Sequence, residues 1–341
     1  MNFCSDNVAG ASPEILEALV TANAGAAMPY GDDTLTQQVA ARIQALFETD
    51  AEILLMSTGS SANALALATM TPPYGAVYCH PDSHVNVDEC GAPEFFTGGA
   101  KLVPVGGPQG KIAPDALAAA VTGAGVVHHV QPAAVSITQV TEAGTIYSPD
   151  EIRALAAICR EHGLKLHMDG ARFANAVEAL GCSPAEASHR LGVDALSFGA
   201  TKNGALCAEA ILFFDAALAR DAGYRRKRAG HLFSKMRFLA AQWDAYLAND
   251  LWRRNARHAN AMAARLAAGL SVLPGVKLEH PVEANELFVR MPHAMIEGIL
   301  AQGFMFYRWE PEGTLVRLVT AFDTEPGAVE AFLAAAACHA D

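Results

Sequence analysis

Two polar residues each follow an apolar run: Asp169 comes after residues 164–168, and Lys202 after residues 193–198. Runs of this kind predict buried strands, and open α/β sheets bind ligands beyond the carboxyl ends of their strands. An acid and a primary amine delivered to one rim suit pyridoxal phosphate (PLP). The amine forms a Schiff base with the cofactor's aldehyde, and the acid keeps the pyridinium nitrogen protonated so that the ring accepts electrons. On these two residues alone, a surface ion pair beside a solvated lysine explains the pattern equally well. A third feature shifts the balance. Residues 53–56 run into Ser57-Thr58-Gly59-Ser60-Ser61-Ala62-Asn63 and then an apolar helical stretch. Small residues at a helix start expose free N–H groups and hydroxyls to a phosphate, although alone they describe an ordinary Ser-capped helix. The fourth is His84, just past the apolar run 76–79. There an imidazole can stack on a pyridine ring and reach the substituents of the reacting carbon. Neither GxGxxG nor GxxxxGK[ST] occurs, so the dinucleotide and Walker-type readings lack their fingerprints.

The elements that must hold these residues are legible in outline. The chain has 341 residues, 52% hydrophobic and 18% charged, which excludes disorder and fibrous repeats. A net charge of −12 disfavours nucleic acid and anionic membranes; the one basic run, Arg225 to Arg228, reads as a solvated face. No stretch approaches the ~18 apolar residues of a spanning helix, and no basic leader or signal-peptide core opens the sequence. Seven scattered cysteines without a CxxC pair point to a reduced, cytoplasmic enzyme with neither a disulfide framework nor a structural zinc or other metal site.

Near-continuous apolar runs at 53–56, 76–79, 102–105, 126–130, 133–138, 164–168, 193–198 and 210–214 predict strands covered on both faces. Helical stretches between them imply a mostly parallel sheet. Helix starts are marked by Thr34 with Gln37, and by Ser148-Pro149 and Ser183-Pro184, each followed by Glu at the third helical position. Residues 224–270 read as almost wholly helical; 286–290, 304–309 and 315–322 read as strands before a closing helix from Pro326. The expected division is an arm at 1–13, a large domain at 14–245 and a small α/β domain at 246–341.

The ordered set of motifs resembles the threonine aldolases among the fold-type I PLP enzymes, the β-eliminating lyase group. It comprises Ser5-Asp6, Tyr30-Gly31-Asp32-Asp33, the 57–63 loop, His84 with Glu89, His167-Met168-Asp169-Gly170-Ala171-Arg172 with Asn175-Ala176, Lys202-Asn203-Gly204, and 317–320. These span nearly the whole chain. The resemblance implies a large PLP-binding domain with a small C-terminal domain, and Lys202 as the cofactor-bearing lysine with Asp169 as pyridinium partner. It implies Gly59, Ser60 and Ser61 as the phosphate cup, with Thr201 and Arg172 as further cofactor contacts, and His84 as the stacking histidine that also assists proton removal from the substrate hydroxyl, directly or through water. Ser5, Arg172 and Arg317 become the holders of the substrate carboxylate. For Arg317, in the apolar segment 315–319, a bidentate carboxylate partner would offset an otherwise costly charge, unless it lies on a solvent-facing side. The implied assembly is a homotetramer of dimers with shared active sites.

The sequence departs from the commoner family pattern in three places. Lys202-Asn203-Gly204-Ala205 replaces Lys-Gly-Leu-Gly. Thr138-Gln139-Val140-Thr141 supplies no second histidine. The arginine that reaches the phosphate from a neighbouring subunit is replaced near Ser234, leaving Lys235 or Arg237 as stand-ins. The implied reaction is retro-aldol cleavage of a β-hydroxy-α-amino acid such as threonine, allo-threonine or phenylserine to glycine and an aldehyde. The rivals are β-elimination or transamination on the same scaffold, and a PLP-binding protein without turnover; a nucleotide-dependent oxidoreductase is more distant.

Overall fold

Apolar runs covered on both faces form the central sheet of this computed structural model, which describes residues 1–310 and 313–339. Its strands are β1 (Glu52–Met56), β2 (Gly75–Cys79), β3 (Lys101–Pro104), β4 (Gln131–Thr138), β5 (Lys165–Gly170), β6 (Ala195–Gly199) and β7 (Glu209–Phe213). They lie in the order β1-β7-β6-β5-β4-β2-β3. Every residue of β2, β6 and β7 is buried. The pairs from β6 through β5, β4 and β2 to β3 are parallel, whereas β7 runs antiparallel to both its neighbours. The reversal follows from chain length. A parallel crossover needs about a dozen residues or more, and only residues 200–208 join β6 to β7. That short connection carries Lys202.

A second, antiparallel sheet contains β8 (Lys277–Leu278), β9 (Glu286–Arg290), β10 (Tyr307–Arg308) and β11 (Leu315–Val319), in the order β10-β11-β9-β8. The helix Leu251–Leu270 serves both cores. Its Leu251, Trp252 and Ala256 pack with the large sheet's core, and its Met262, Ala263, Leu266 and Leu270 with the small sheet's. Phe3 also belongs to the small core, edge-on to Phe332 at 5.1 Å between ring centroids. No helix among the described residues is long and apolar enough to cross a membrane.

Several expected elements differ. Residues 126–130 form no strand: Val127 is almost fully exposed, and the Gln131 amide donates to the carbonyls of Gly123, Val126 and His129. Gly123 and Gly125 at φ of 80° and 76° turn the chain away from the sheet. The Ser148 capping box forms as expected, but the helix at residue 34 is capped by Asp33, which accepts from Thr36 N at 2.9 Å. At Ser183 both capping-box bonds to Glu186 form, yet only the 3-10 turn His189–Leu191 follows, the Ser188 hydroxyl bonding Pro184 O instead of extending a helix. Of 304–309 only Tyr307–Arg308 pairs in the sheet, since Met305 bridges to Asn2. Residues 224–270 are broken at 229–236 and again at Asn249 and Asp250, both with positive φ. The basic run is not simply a solvated face: the Nε atoms of Arg225 and Arg226 are buried without partners.

Candidate active site

The carboxyl ends of β1, β4, β5 and β6 meet at a cavity of about 360 Å³, whose lining includes Asp169, Lys202, His84, Gly59, Ser60 and Arg172. β5 delivers Asp169, which is buried. Its Oδ1 accepts from Ala171 N at 3.0 Å and its Oδ2 from the Asn63 amide at 2.8 Å. Gly170 is needed because an added Cβ would lie 2.7 Å from Ser197 O on the adjoining strand. The Asn63 amide also donates to Glu89 Oε1 at 2.8 Å, and the same oxygen lies 2.8 Å from His84 Nδ1. A continuous chain of contacts therefore joins His84 to Asp169. The Glu89 bond raises the His84 pKa against the opposing effect of burial, and the charge of Asp169 adds to the rise.

Lys202 sits in the 3-10 turn Thr201–Asn203. The turn is pinned by its neighbours: the Asn203 amide donates to Tyr246 OH at 2.7 Å and Trp252 O at 2.8 Å, and Gly204 takes φ +106°. Ser12 N and the Asn255 amide close the turn through Gly204 O and Asn203 O. The Lys202 charge acts on Asp6, Glu142 and Glu209 without hydrogen bonding to any of them.

The helix Gly59–Met70 begins at the cavity with Thr58 as N-cap, its side chain accepting from Ser61 N at 3.3 Å. The first N–H groups of a helix have no partner within it, so those of Gly59 and Ser60 are available. Ser61 is turned inward, its hydroxyl bonding Thr58 O at 2.8 Å, and Ser57 and Thr58 line the cavity in its place. Glu209 is buried beside this end, where burial lifts its carboxyl to about 7 against hydrogen bonding from Thr201 and the charge of Lys202. An acid biased toward its neutral form tolerates a neighbouring phosphate.

Arg172 lines the cavity but is itself well occupied. Its Nε and Nη2 grip both oxygens of Asp6 at 2.7 and 3.0 Å, while Nη1 stands 3.1 Å from Glu286 Oε2 without hydrogen-bond alignment. Burial opposes the Asp6 charge, but Arg172 and Lys202 outweigh it and keep that carboxyl below its ordinary value. Arg317 does not line the cavity. Its Nη2 donates to Cys4 O at 3.1 Å, its guanidinium lies 5.4 and 5.0 Å from the ring centroids of Tyr307 and Trp309, and its Nε is buried without a partner. The Ser5 hydroxyl accepts from Asn7 N, and Asn7 rather than Ser5 reaches the cavity. Thr201 lines it, accepting from Ala208 N at 3.1 Å. Lys235 is exposed and outside it.

The donor set fits PLP. A primary amine without a bonded partner, a carboxylate fixed for a ring nitrogen, an imidazole and the free end of a helix all face one space. Sequence reasoning gave no role to Asn63, Glu142, Glu209 or Glu286. Glu142 was within reach of the rule that found Asp169, because it follows the carboxyl end of β4; Glu286 and Asn63 become visible only when distant segments pack.

The pattern described as beta-eliminating lyase matches residues 2–294. A low specificity L-threonine aldolase of Pseudomonas aeruginosa is 47% identical over 95% of this chain and 93% of that protein. One from Saccharomyces cerevisiae is 26% identical over 86% of this chain and 74% of that protein. A solved Leishmania major threonine aldolase superposes with a TM-score of 0.92 at 31% identity, covering 98% of each chain. A Sphingomonas wittichii serine palmitoyltransferase, 16% identical with a TM-score of 0.75 over 99% of this chain and 86% of the other, shares the fold.

Proposed function

The chain belongs to the beta-eliminating lyase family and has the fold-type I architecture, and from that premise we infer that it is a low-specificity threonine aldolase. It cleaves threonine or allo-threonine to glycine and an aldehyde. The observation that carries this reading is the convergence of Lys202, Asp169 and the free end of the helix Gly59–Met70 on one cavity.

Lys202 would hold PLP covalently, Asp169 would pair with its ring nitrogen, and the Gly59 and Ser60 N–H groups would receive its phosphate, with Ser57, Thr58 and Thr201 beside them and Ser61 bracing the turn. When bound, PLP supplies an electron sink for the pair left on the substrate's α-carbon. The protein's own part is placement. Asn63 orients the Asp169 carboxylate through the bond to its Oδ2. His84, fixed by Glu89 and lining the same cavity, would cover one face of the ring. Arg172, which lines the cavity, would hold the substrate carboxylate, whereas Arg317 and Ser5 lie outside that lining. Holding that carboxylate sets which bond at the α-carbon stands perpendicular to the ring, so the clamp governs which bond breaks as well as affinity.

The assembly proposed is a homotetramer of dimers. Leu206, which lines the cavity while 56% exposed, offers an apolar rim that a second copy would cover, and Lys235 would then act on a neighbour's phosphate. A cytoplasmic setting is part of the proposal, resting on the scatter of seven cysteines without a CxxC pair. Borohydride reduction of the PLP-loaded protein followed by peptide mapping is expected to label Lys202, and threonine is expected to yield glycine and acetaldehyde. Label on another lysine would sink the site assignment. A keto acid product with ammonia, or with an aminated cofactor, would replace the aldolase reading by elimination or transamination.

A further inference from the structure

The β-hydroxyl of the substrate must lose its proton as the carbon–carbon bond breaks, and Glu142 is a carboxylate that lines the same cavity as Asp169 and Lys202. It bounds the main cavity and also an adjoining one of about 260 Å³, lined by the apolar Val87, Phe288, Trp309 and Leu315 together with Asp82, Asp88 and His280. A substrate with its α-carbon over the Asp169–Lys202 floor and its β-substituent against Val87, Phe288 and Trp309 in the adjoining space would carry its β-carbon past this residue. The mount is rigid. Glu142 lies within a turn closed by Thr141 N to Thr145 O at 2.9 Å and by the Thr141 and Thr145 hydroxyls at 2.8 Å from each other. The Thr145 hydroxyl is tied on to Gln109 O at 2.7 Å, and Ile146 N donates to Glu283. Gly144 is held at φ +74°, so close to the small sheet that an added Cβ would lie 2.8 Å from Glu286 O. Other carboxylates in the site accept hydrogen bonds, from Asn63, from Ala171 N or from Arg172. Among the described residues none hydrogen-bonds the Glu142 carboxylate, and the charges around it act through space, which leaves its lone pairs for a substrate proton.

We propose that Glu142 is the catalytic base that takes the β-hydroxyl proton, and that the Val87–Phe288–Trp309 space receives the β-substituent. In this step the hydroxyl O–H bond breaks and its proton moves to a Glu142 oxygen. The O–H electron pair becomes the second bond of the aldehyde carbonyl, while the Cα–Cβ pair stays with the α-carbon. That carbon is then reprotonated to give glycine, and Glu142 returns its proton to water. Electrostatics agree with the assignment. Burial, with Glu286 and Asp169, lifts the Glu142 carboxyl to about 7 against the pull of Lys202 and Arg172, which places a base near the ideal working range. His84 already spends its Nδ1 on Glu89, and that bond raises its pKa, so it enters the site as a group held by a carboxylate rather than as a free one. Asp82, Asp88 and His280 face Glu142 from the adjoining space.

The inference rests on the aldolase reading, and the test separates the two. With Glu142→Gln, kcat for threonine cleavage is expected to fall by about 10²–10⁴-fold, and the acid limb of the pH profile near 7 is expected to vanish. Glycine binding, read from the cofactor's visible absorbance, should stay within about threefold, because glycine brings no hydroxyl. If the parent itself cleaves no threonine, the functional reading fails; if parent and variant cleave alike, only Glu142 fails. A further readout uses protein stripped of cofactor. A carboxyl whose folded pKa is raised costs nothing below the unfolded value of 4.5, and its penalty grows until the pH passes about 7. Glu142→Gln should therefore raise the melting temperature at about pH 8 and leave it unchanged near pH 4.5. An unchanged Tm at both pH values, or a loss at both, would overturn the placement of Glu142 as a half-buried acid with no hydrogen-bond partner among the described residues.

Discussion

Around Asp169 and Arg172 the charged groups are paired: Asn63 bridges Asp169 to Glu89, Glu89 holds His84, and Asp6 grips Arg172 through two nitrogens. Around Lys202 and Glu142 the protein spends its hydrogen bonds on the backbone instead. Asn203 and Asn255 fix one turn and Thr141 and Thr145 the other, while the amine and the carboxylate themselves have no hydrogen-bond partner among the described residues. The contrast separates two jobs. A group that must orient another is itself held on every side, whereas a group that must form or break a bond is held only by its main chain. Perturbing the paired region should therefore cost stability, and perturbing the unpaired region should cost turnover.

The largest expected effect comes from Arg172. Arg172→Met leaves Asp6 and Glu286 buried, at 2% and 1% exposure, without their main cation. Removing one partner of such a pair costs about 3–5 kcal/mol, to be read from urea unfolding of the protein stripped of cofactor. Asp6→Asn in the same background should restore part of the loss, because it removes one uncompensated charge. A loss below about 1 kcal/mol would place these carboxylates in contact with water and erase the distinction between the two regions.

Next is Asn63. Asn63→Ala withdraws the donor shared by Asp169 and Glu89, both buried. Leaving buried acceptors unsatisfied costs about 1–3 kcal/mol each, so unfolding free energy should fall by that order and PLP affinity should weaken with it. If the variant loses turnover but neither stability nor affinity, Asn63 belongs with the reactive groups rather than the positioning ones.

Legibility in the sequence followed the same division. Asp169 and Lys202 could be found because each continues directly from an apolar strand, and both strands formed within a residue or two of the expected places. The reversed direction of β7 was hidden in a loop length rather than in any motif. The run 126–130 has strand composition but no neighbour to cover it, and its backbone follows two left-handed glycines and one glutamine amide. The partners of Arg172 lie at Asp6 and Glu286, at opposite ends of the chain. No local pattern joins them; the packing of Phe3 into the small core, the Asn2–Met305 bridge and the Asn285 amide on Asp6 bring that carboxylate alongside. The family motifs named Arg172 as a carboxylate holder without showing that two internal carboxylates already compete for it.

The smallest effect is expected at His84, which lies between the two regions, paired through Nδ1 with Glu89 yet lining the cavity. His84→Phe keeps a flat ring over the cofactor site but removes the titratable nitrogen. With Glu142 as base, kcat should fall by less than about tenfold; a loss of about 10²–10⁴-fold would make the imidazole the base and return Glu142 to a structural role. Stability gives an independent reading with a definite sign. The folded pKa of His84 is raised above the ordinary 6.5 by its bond to Glu89. Its stabilisation is therefore complete below 6.5 and is lost as the pH rises through the folded value. The melting temperature of His84→Phe should fall furthest below that of the parent at about pH 5.5, and the gap should narrow by about pH 9. Glu89→Gln should remove the same pH dependence, because the raised pKa needs the carboxylate. A gap of equal size at both pH values would mean that the two side chains share a neutral hydrogen bond, so that His84 enters the reaction with its imidazole uncharged.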